Sequence, residues 1–299
     1  MTEILTAPTA APAFAPAGAR GIFRNPRMSV SLVVGVGILV AVFGVALVGS
    51  YFVDHRMGEV GAVPPGLRPS AQYPLGTDSQ GRELFTILIL GTPQTFRIGL
   101  MAGAVGLSIG LTLGLVAGYF GGVLDALIRV VTDSIMTVPG IAILIIIAAN
   151  VGGMTIDIMA LTVASLAWTH PARSIRAQVL SIRERPYVQV ARANGESELE
   201  IVFREVLPNL IPYVAAGFVG SVSGAMLASV GLEALGLGTN DVHTLGTMIY
   251  WAQKYSAVLR GQWWWFGPPI AMIATIFIGL FFVSAGVDRF ANPRLRQQT

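Results

Sequence analysis

Cysteine is absent from this 299-residue chain, so disulfide bonds and thiolate metal sites are excluded. The three histidines, His55, His170 and His243, are far apart in the sequence and do not indicate a metal centre. The only lysine is Lys254, and Gln253 precedes it, so the Gly-Lys-Ser/Thr sequence of a phosphate-binding loop is missing. No nucleophile–base arrangement is recognisable either. We therefore expect a chain that is not an enzyme and has no cofactor of its own.

Charged residues are scarce. They make up 12% of the chain against 54% hydrophobic residues, a balance typical of a protein that crosses a membrane several times. Six segments are predicted to cross the hydrocarbon core, which is roughly 30 Å thick. They are 29–53, 96–119, 130–150, 155–170, 209–234 and 267–287, of which the fourth is the shortest. The predicted fold class is an all-α membrane protein, a bundle of six transmembrane helices.

The placement of the basic residues predicts the orientation in the membrane. Arginines concentrate in 20–27, 171–208 and 289–296. Segments rich in arginine beside apolar spans stay on the cytoplasmic side, so both termini and 171–208 are predicted to be cytoplasmic. The same placement beside apolar spans indicates a lipid bilayer, not a nucleic acid, as the surrounding partner.

Composition also divides the chain into segments. Residues 1–28 are predicted to be a disordered cytoplasmic segment, because they begin with a run rich in Ala, Pro and Thr. Residues 29–53 form the first transmembrane anchor helix, and 54–94, rich in Pro and Gly, form an extracytoplasmic segment. The transmembrane domain is 95–290, and 291–299 is a cytoplasmic tail.

Glycines recur along two of the predicted spans. Glycines four residues apart share one helix face, where another backbone can approach closely. They are Gly106, Gly110, Gly114 and Gly118 in the second span and, with looser spacing, Gly217, Gly220 and Gly224 in the fifth. Two interpretations are open: ordinary packing within one bundle, or faces that slide during a transport cycle.

The third predicted span begins with three charged residues. Asp125, Arg129 and Asp133 are four residues apart, which predicts a ladder of ion pairs along one helix face. Pro139, followed by a glycine, predicts a kink. Ionisable residues are otherwise rare deep in the spans, with Asp157 near the outer end of the fourth. This scarcity argues against a secondary transporter.

Residues 186–208, called the insert below, form a polar segment between two spans. The pattern predicts two short helices around Gly195, with Pro186 in the first turn of the first helix. Ser197 and Glu200 predict a capping box at the start of the second helix, and Pro208 marks where the chain turns back into the membrane.

An apolar stripe follows that cap. It consists of Leu199, Val202, Phe203, Val206 and Leu207, at helical spacing. Helices this short are unstable alone. The insert is therefore predicted either to lie on the lipid surface or to fit a cleft on a cytosolic protein. Its mixed charge favours the second.

Several motifs resemble one family. The insert resembles the E-A-A…G…I…L-P signature of inner-membrane subunits of binding-protein-dependent ABC importers. Tyr-Pro-Leu-Gly-Thr-Asp-Ser-Gln-Gly-Arg-Glu at 73–83 is similar to the H-P-L-G-T-D-x-x-G-R-D segment of C-type permeases in the dipeptide/oligopeptide/nickel group. The stretch 233–238 resembles the E…L-G-L-G motif of that group, and 292–296 its D-P-R-L-R tail. The acids and proline of the third span match as well, so the resemblance covers nearly all of 70–296.

The resemblance implies a heteromeric importer in the inner (cytoplasmic) membrane of a prokaryote. The partners would be a second homologous permease, one or two cytosolic ABC ATPases and an extracytoplasmic solute-binding protein. ATP and Mg would be bound by the ATPases. Closure of the ATPase dimer would be passed through the insert, as a cytoplasmic coupling-helix pair, into the helix bundle.

The resemblance also assigns candidate site residues. The ATPase-coupling candidates are Tyr187, Gln189, Val190, Ala191, Arg192, Gly195, Ser197, Phe203, Leu207 and Pro208. Candidates for a structural or pathway role in the membrane are Asp125, Arg129, Asp133, Pro139 and Glu233. Gln189 stands where the family has Glu. It keeps hydrogen-bonding capacity but loses a charge-assisted contact, so the coupling interface is expected to be weaker or differently paired.

Other classes and other cargoes stay open at this point. Peptides are the commonest cargo of the resembling group, with oligosaccharides and nickel as alternatives, and selectivity is expected mainly in the binding protein. Uptake driven by an ion gradient would favour a secondary transporter, and a complex that carries no solute would favour a scaffold. The aromatic segment 235–266 indicates an interfacial belt, or contact with the binding protein or a sugar.

Overall fold

The computed structural model describes residues 30–239 and 241–291, and the predicted all-α fold is confirmed within these ranges. The helices are α1 (Val30–Phe52), α2 (Leu84–Phe120), α3 (Gly122–Thr137), α4 (Gly140–Asn150), α5 (Ile156–Ala167), α6 (Thr169–Arg183), α7 (Pro186–Ala193), α8 (Glu198–Ile201), α9 (Leu207–Leu232), α10 (Leu245–Lys254) and α11 (Trp263–Ala291). Segments with π-helical hydrogen bonding join α8 to α9 and follow α9. The predicted segment 1–28 and almost all of the predicted tail 291–299 lie outside the described residues.

Four described helices are long and apolar enough to cross a membrane, which confirms a multi-pass membrane protein. They are α1, α2, the continuous helix Glu198–Leu237 and Trp263–Asp288 of α11. Helices α3 and α4 become a fifth span if the pair, bent by 86°, is counted as one. The predicted span 155–170 falls on α5, which has only 12 residues, and on the first residues of α6. The number of six spans therefore stays a prediction.

Helix α2 is the central helix of the bundle. Its 37 residues extend over about 55 Å, well beyond the thickness of the hydrocarbon core. It begins at Leu84, earlier than the apolar pattern indicated, because the Glu83 carboxylate accepts the backbone N–H groups of Phe85 and Thr86 at 3.1 and 2.6 Å. The first turns of α2 therefore extend beyond the span predicted from position 96.

The glycine face of α2 packs closely against α5 and α6. Each of the four glycines on this face contacts the residue that follows it by 61 positions in the chain. A Cβ added at any of these glycines would lie 2.6–2.9 Å from the Cβ of its partner. The pairs are Gly106 with Ala167, Gly110 with Pro171, Gly114 with Ile175 and Gly118 with Val179. Because the residue numbers of both partners increase together along the contact, α2 runs parallel to α5 and α6. Real Cβ atoms do not approach this closely, so glycine is needed for this contact.

The glycines of the fifth predicted span do not form such a contact within the described chain. A Cβ added at Gly220 or Gly224 would have no described atom within 4 Å, and at Gly217 it would only touch a methyl of Leu107 at 3.9 Å. Helix α9 contacts α2 through another face, where a Cβ at Gly103 would lie 2.7 Å from the Cα of Val222. The packing interpretation is confirmed for α2 and wrong, within this chain, for α9.

The second helix of the insert is continuous with the span that follows it. Helix α8, the π-helical segment Val202–Val206 and α9 form one helix from Glu198 to Leu237, with Leu207 in ordinary helical geometry at the junction. The prediction that the chain turns at Pro208 is therefore wrong. Pro208 lies within this continuous helix, directly after the π-helical segment Val202–Val206, and irregular turns of this kind commonly accompany a proline inside a helix.

The segment before α2 is fixed by a buried ion pair. The Asp78 carboxylate accepts Nε of Arg82 at 2.6 Å and the backbone N–H groups of Gln80 and Arg82 at 2.8 and 2.9 Å. The Arg82 guanidinium carbon also lies 5.6 Å from the ring centre of Trp251 in α10. The motif at 73–83 therefore attaches this segment to α10, at the end of the bundle opposite the insert.

Candidate functional site

Helix α7 has the boundaries that its sequence indicates. Pro186 is in its first turn, and Gly195 closes the turn after it with a φ of 83°. The N–H of Glu196 donates to the carbonyl of Ala191 at 3.2 Å, which satisfies a free carbonyl at the helix end. Of the eight residues of α7, only Val188 and Ala191 are buried. The helix therefore rests on the bundle through a small contact.

The start of α8 has the serine half of the predicted capping box, whereas the Glu200 carboxylate pairs with Arg204 and does not accept the N–H of Ser197. The Ser197 hydroxyl oxygen accepts the N–H of Glu200 at 3.3 Å. The predicted apolar stripe divides into a buried and an exposed part. Val202 and Val206 are buried, whereas Leu199 and Phe203 are each 63% exposed. The prediction of one continuous stripe assumed 3.6 residues per turn. The π-helical segment has a longer turn, and residues four apart remain on its buried face.

Four large apolar side chains of α7, α8 and the π-helical segment are exposed, and together they are called the insert surface below. It consists of Tyr187, Val190, Leu199 and Phe203, which are at least 39% exposed. Partial burial raises the pKa of Tyr187, so its hydroxyl stays neutral at physiological pH.

The other coupling candidates lie around the insert surface or beneath it. Gln189 is exposed, and its amide donates a long hydrogen bond of 3.4 Å to the carbonyl of Glu184. Ala191 is buried beneath the insert surface. Leu207 is half-buried, and Pro208 is exposed.

Four of the six charged side chains of the insert pair with each other. Arg204 Nη1 lies 2.7 Å from Glu200 Oε1, and Arg192 Nε lies 3.4 Å from Glu198 Oε1. Because these four charges are compensated locally, the exposed apolar side chains of the insert are available to a protein partner.

The ion-pair ladder predicted along α3 does not form. Asp125 instead pairs with Arg176 of α6, whose Nη2 lies 2.7 Å from Oδ2 of Asp125. Asp133 pairs more loosely with Arg173, at 3.8 Å. Helix α6 lies beside α3 and presents these arginines one turn apart, so the acids find partners across the helix contact. Arg129 lines a small cleft between the two helices.

An open cavity of about 820 Å³ lies between α2, α4, α5, α6 and α9. The wall from α6 is polar, because His170, Ser174 and Gln178 are four residues apart and share one face. The wall from α9 consists largely of small residues, including Gly220 and Gly224, and is the face that leaves open space.

The break at Pro139 shapes one end of this cavity. Pro139 ends α3, and α4 leaves at 86° so that Ile141 and Leu144 line the cavity. The opposite end is lined by Gln178 and Tyr213, which lie close in sequence to the insert. The cavity thus extends from α4 toward the insert.

Glu233 does not line the cavity. Its side chain is fully buried at the end of α9, and its Oε2 would lie 2.1 Å from a Cβ added at Gly246. Gly246 is in the first turn of α10, where backbone N–H groups favour an acidic side chain. Both carboxylate oxygens are buried without a hydrogen-bond partner among the described residues, so Glu233 packs against α10 while its predicted role stays a prediction.

Sequence reasoning missed two groups that the structure brings together. Tyr119, in the last turn of α2, donates its hydroxyl to Glu198, although the two are 79 residues apart. His170 and Gln178 looked unrelated in the sequence but share the cavity wall. The spacing of four between His170, Ser174 and Gln178 was the one available signal for this wall.

The comparisons with known proteins agree with the motifs. A family model described as "Binding-protein-dependent transport system inner membrane component" matches residues 110–297. The chain is 28% identical over 268 residues to the oligopeptide transport system permease protein OppC of Lactococcus lactis, covering 89% of this chain and 90% of that protein. It is also 28% identical over 277 residues to the dipeptide transport system permease protein DppC of Bacillus subtilis, covering 92% and 85%.

Proposed function

Because the chain belongs to the family of binding-protein-dependent transport system inner-membrane components, we propose that it is a permease subunit of an ATP-driven importer of peptides. Its partners are a second homologous permease, one or two cytosolic ATPases that bind ATP and Mg, and an extracytoplasmic binding protein. Relatives named as oligopeptide and dipeptide permeases, each matched over most of its length, support peptides as the cargo.

The topology that we propose has six spans, with both termini and the insert in the cytoplasm. The fourth span in chain order, which completes the six, consists of α5 and the first turns of α6. Only Trp168 separates these two helices, and both contact the glycine face of α2 with the same offset of 61 residues. Arginines at the insert end of the bundle, Arg173, Arg176 and Arg183 among them, support the cytoplasmic side for that end.

The insert surface is the docking site that we propose for an ATPase. The observation that carries the proposal is its exposed large apolar side chains: Val190 is 58% exposed and Phe203 is 63% exposed, although both belong to helices. A partner that buries a side chain of this size gains about 1.5–3 kcal/mol for each, offset by the cost of association. Because four of the six insert charges pair locally, we assign a large part of the attraction to this apolar contact.

The cavity is the contribution of this chain to the peptide pathway. Its polar wall on α6 offers hydrogen-bonding groups such as His170 and Gln178 to a peptide backbone. Its α9 wall of glycines leaves room for side chains of different size, as a carrier of varied peptides requires. The end near Gln178 and Tyr213 faces the insert, which corresponds to a cavity open toward the cytoplasm.

Two substitutions test the docking role of the insert. Gly195→Pro removes the positive φ of 83°, which proline cannot adopt. Phe203→Asp places a charge in the apolar contact. Both variants are expected to abolish ATP-driven peptide uptake in proteoliposomes that hold the whole complex, while the chain remains in the membrane.

The matched control is Phe203→Leu, which keeps an apolar side chain at the same position and should retain uptake. Affinity purification of the tagged variants, with identification of the co-purified subunits, shows whether the ATPase is lost. Uptake by Phe203→Asp equal to that of the wild type would refute the assignment of the insert surface. Uptake driven by an ion gradient without any ATPase would refute the importer itself.

A further inference from the structure

Three helical segments meet at the carboxylate of Glu198. Its Oε2 accepts the hydroxyl of Tyr119, which lies in the last turn of α2. The guanidinium of Arg192, in the last turn of α7, lies 3.4 Å from each carboxylate oxygen. Glu198 itself is the first residue of the long helix that contains α8 and α9. One side chain thus connects α7 with the two helices that contact each other through Gly103 and Val222.

The position of Tyr119 is set by another contact at the end of α2. Nη1 of Arg183, in the last turn of α6, donates to the carbonyls of Gly118 and Tyr119 at 2.9 and 3.3 Å. These carbonyls are free because α2 ends there. Tyr119 therefore belongs to the rigid α2–α6 unit, whereas Arg192 belongs to the small helix α7.

The burial of the three partners differs. Tyr119 is only 6% exposed, and a buried hydroxyl requires a hydrogen-bond partner. The side chains of Arg192 and Glu198 are 50% and 52% exposed, and ion pairs screened to this extent contribute little to folding. The network is therefore placed to orient α7, which buries only two of its residues, without being required for the fold.

We propose that Tyr119, Arg192 and Glu198 are positioning residues that transmit movement of α7 to α2. The inference rests on the proposed function, since the movement is the one that the ATPase imposes on the insert. When the ATPases close, the displacement of α7 reaches α2 through Glu198. Without this connection α7 moves on its small apolar contact alone, and ATP hydrolysis is less often converted into transport.

The test uses the complete complex of both permeases, ATPases and binding protein, reconstituted in proteoliposomes. Peptide uptake and ATP hydrolysis are measured together for the wild type, Tyr119→Phe, Glu198→Gln and the double variant. The matched control is Glu200→Gln, the same chemical change in an ion pair that stays within one helix. Co-purified ATPase and thermal midpoint are measured for every variant.

We expect both single variants to transport about three- to tenfold less peptide per ATP, the size expected for one partly exposed hydrogen bond. Bound ATPase and thermal midpoint should equal those of Glu200→Gln, and the double variant should be no worse than the poorer single variant. The inference is overturned if Tyr119→Phe and Glu198→Gln both transport as much peptide per ATP as the Glu200→Gln control. It is also overturned if both variants lose bound ATPase. A wild-type complex without ATP-driven uptake would instead overturn the proposed function.

Discussion

Two glycine-to-alanine substitutions provide a direct test of the helix contacts. At Gly103 an added Cβ would lie 2.7 Å from both Cα and N of Val222 and 3.0 Å from the carbonyl carbon of Ser221. These atoms are backbone, so no rotamer change relieves the overlap, and α2 and α9 must separate by about 0.7 Å to reach ordinary contact at 3.4 Å. At Gly220 the same Cβ meets no described atom within 4 Å.

The expected free energies follow from these distances. Replacing a helical glycine by alanine favours the helix by about 0.8–1.0 kcal/mol, and this term is common to both variants. Overpacking at Gly103→Ala costs about 1–3 kcal/mol, whereas Gly220→Ala has no such cost. The two variants should therefore differ by about 1–3 kcal/mol, which corresponds to a difference of roughly 2–10 °C in the thermal midpoint.

The measurement is the midpoint of thermal denaturation of each variant, purified with its co-purifying subunits in mild detergent and followed by size-exclusion chromatography. Gly220→Ala should match or exceed the wild type, and Gly103→Ala should fall below it. A Gly103→Ala protein as stable as Gly220→Ala would show that α2 and α9 do not touch through Gly103, and the arrangement of the bundle would then be wrong.

Three further substitutions test separate features. Gly246→Ala should destabilise the protein by about 1–3 kcal/mol, because its Cβ would lie 2.1 Å from Oε2 of Glu233. Adding Glu233→Ala to the same chain should recover part of this stability, and no recovery would contradict the contact. Burial lowers the pKa of His243 from its ordinary value of 6.5, so its neutral form stabilises the fold above pH 6.5 and this contribution is lost as the pH falls below it. His243→Gln should thus show a smaller fall in thermal midpoint between pH 7.5 and 5.5 than the wild type, and an equal fall would contradict it. Gln189→Glu restores the family carboxylate and loses only a 3.4 Å hydrogen bond. It should keep or increase the amount of ATPase retained in pull-downs at rising salt, and a clear loss of ATPase would show that the interface is paired differently.

Local signals in the sequence predicted local structure well. Gly195, Ser197 and Pro186 define the ends of α7 and α8 as expected, because each acts on the backbone of its own turn. The glycines of α2 also predicted close packing, since any helix that approaches that face must approach its backbone. Periodicity could not tell which helix does so, and the partner is the α5–α6 pair, 61 residues later.

Features that depend on distant parts of the chain could not be predicted. Asp125 was assigned to Arg129, its neighbour one turn away, but Arg176 lies closer because α6 packs against α3. The hydrogen bond from Tyr119 to Glu198 joins positions 79 residues apart and leaves no local pattern. Pro208 hid the continuity of the insert with α9, because a proline usually indicates a helix break, whereas here the helix continues through it after a π-helical segment.

The continuous helix Glu198–Leu237 has a mechanical consequence. From Glu198 to Leu235 it makes a rod of about 57 Å that reaches from the proposed ATPase contact toward the far end of the bundle, where the positive φ of Gly236 ends the regular helix. This helix crosses α2 at the contact of Val222 with Gly103, near the middle of both helices. A contact this close can act as the pivot of a rigid-body tilt. If the rod tilts there by about 5° as a rigid lever, each end moves about 2–3 Å in opposite directions. A push at the cytoplasmic end would then narrow one mouth of the pathway while it widens the other.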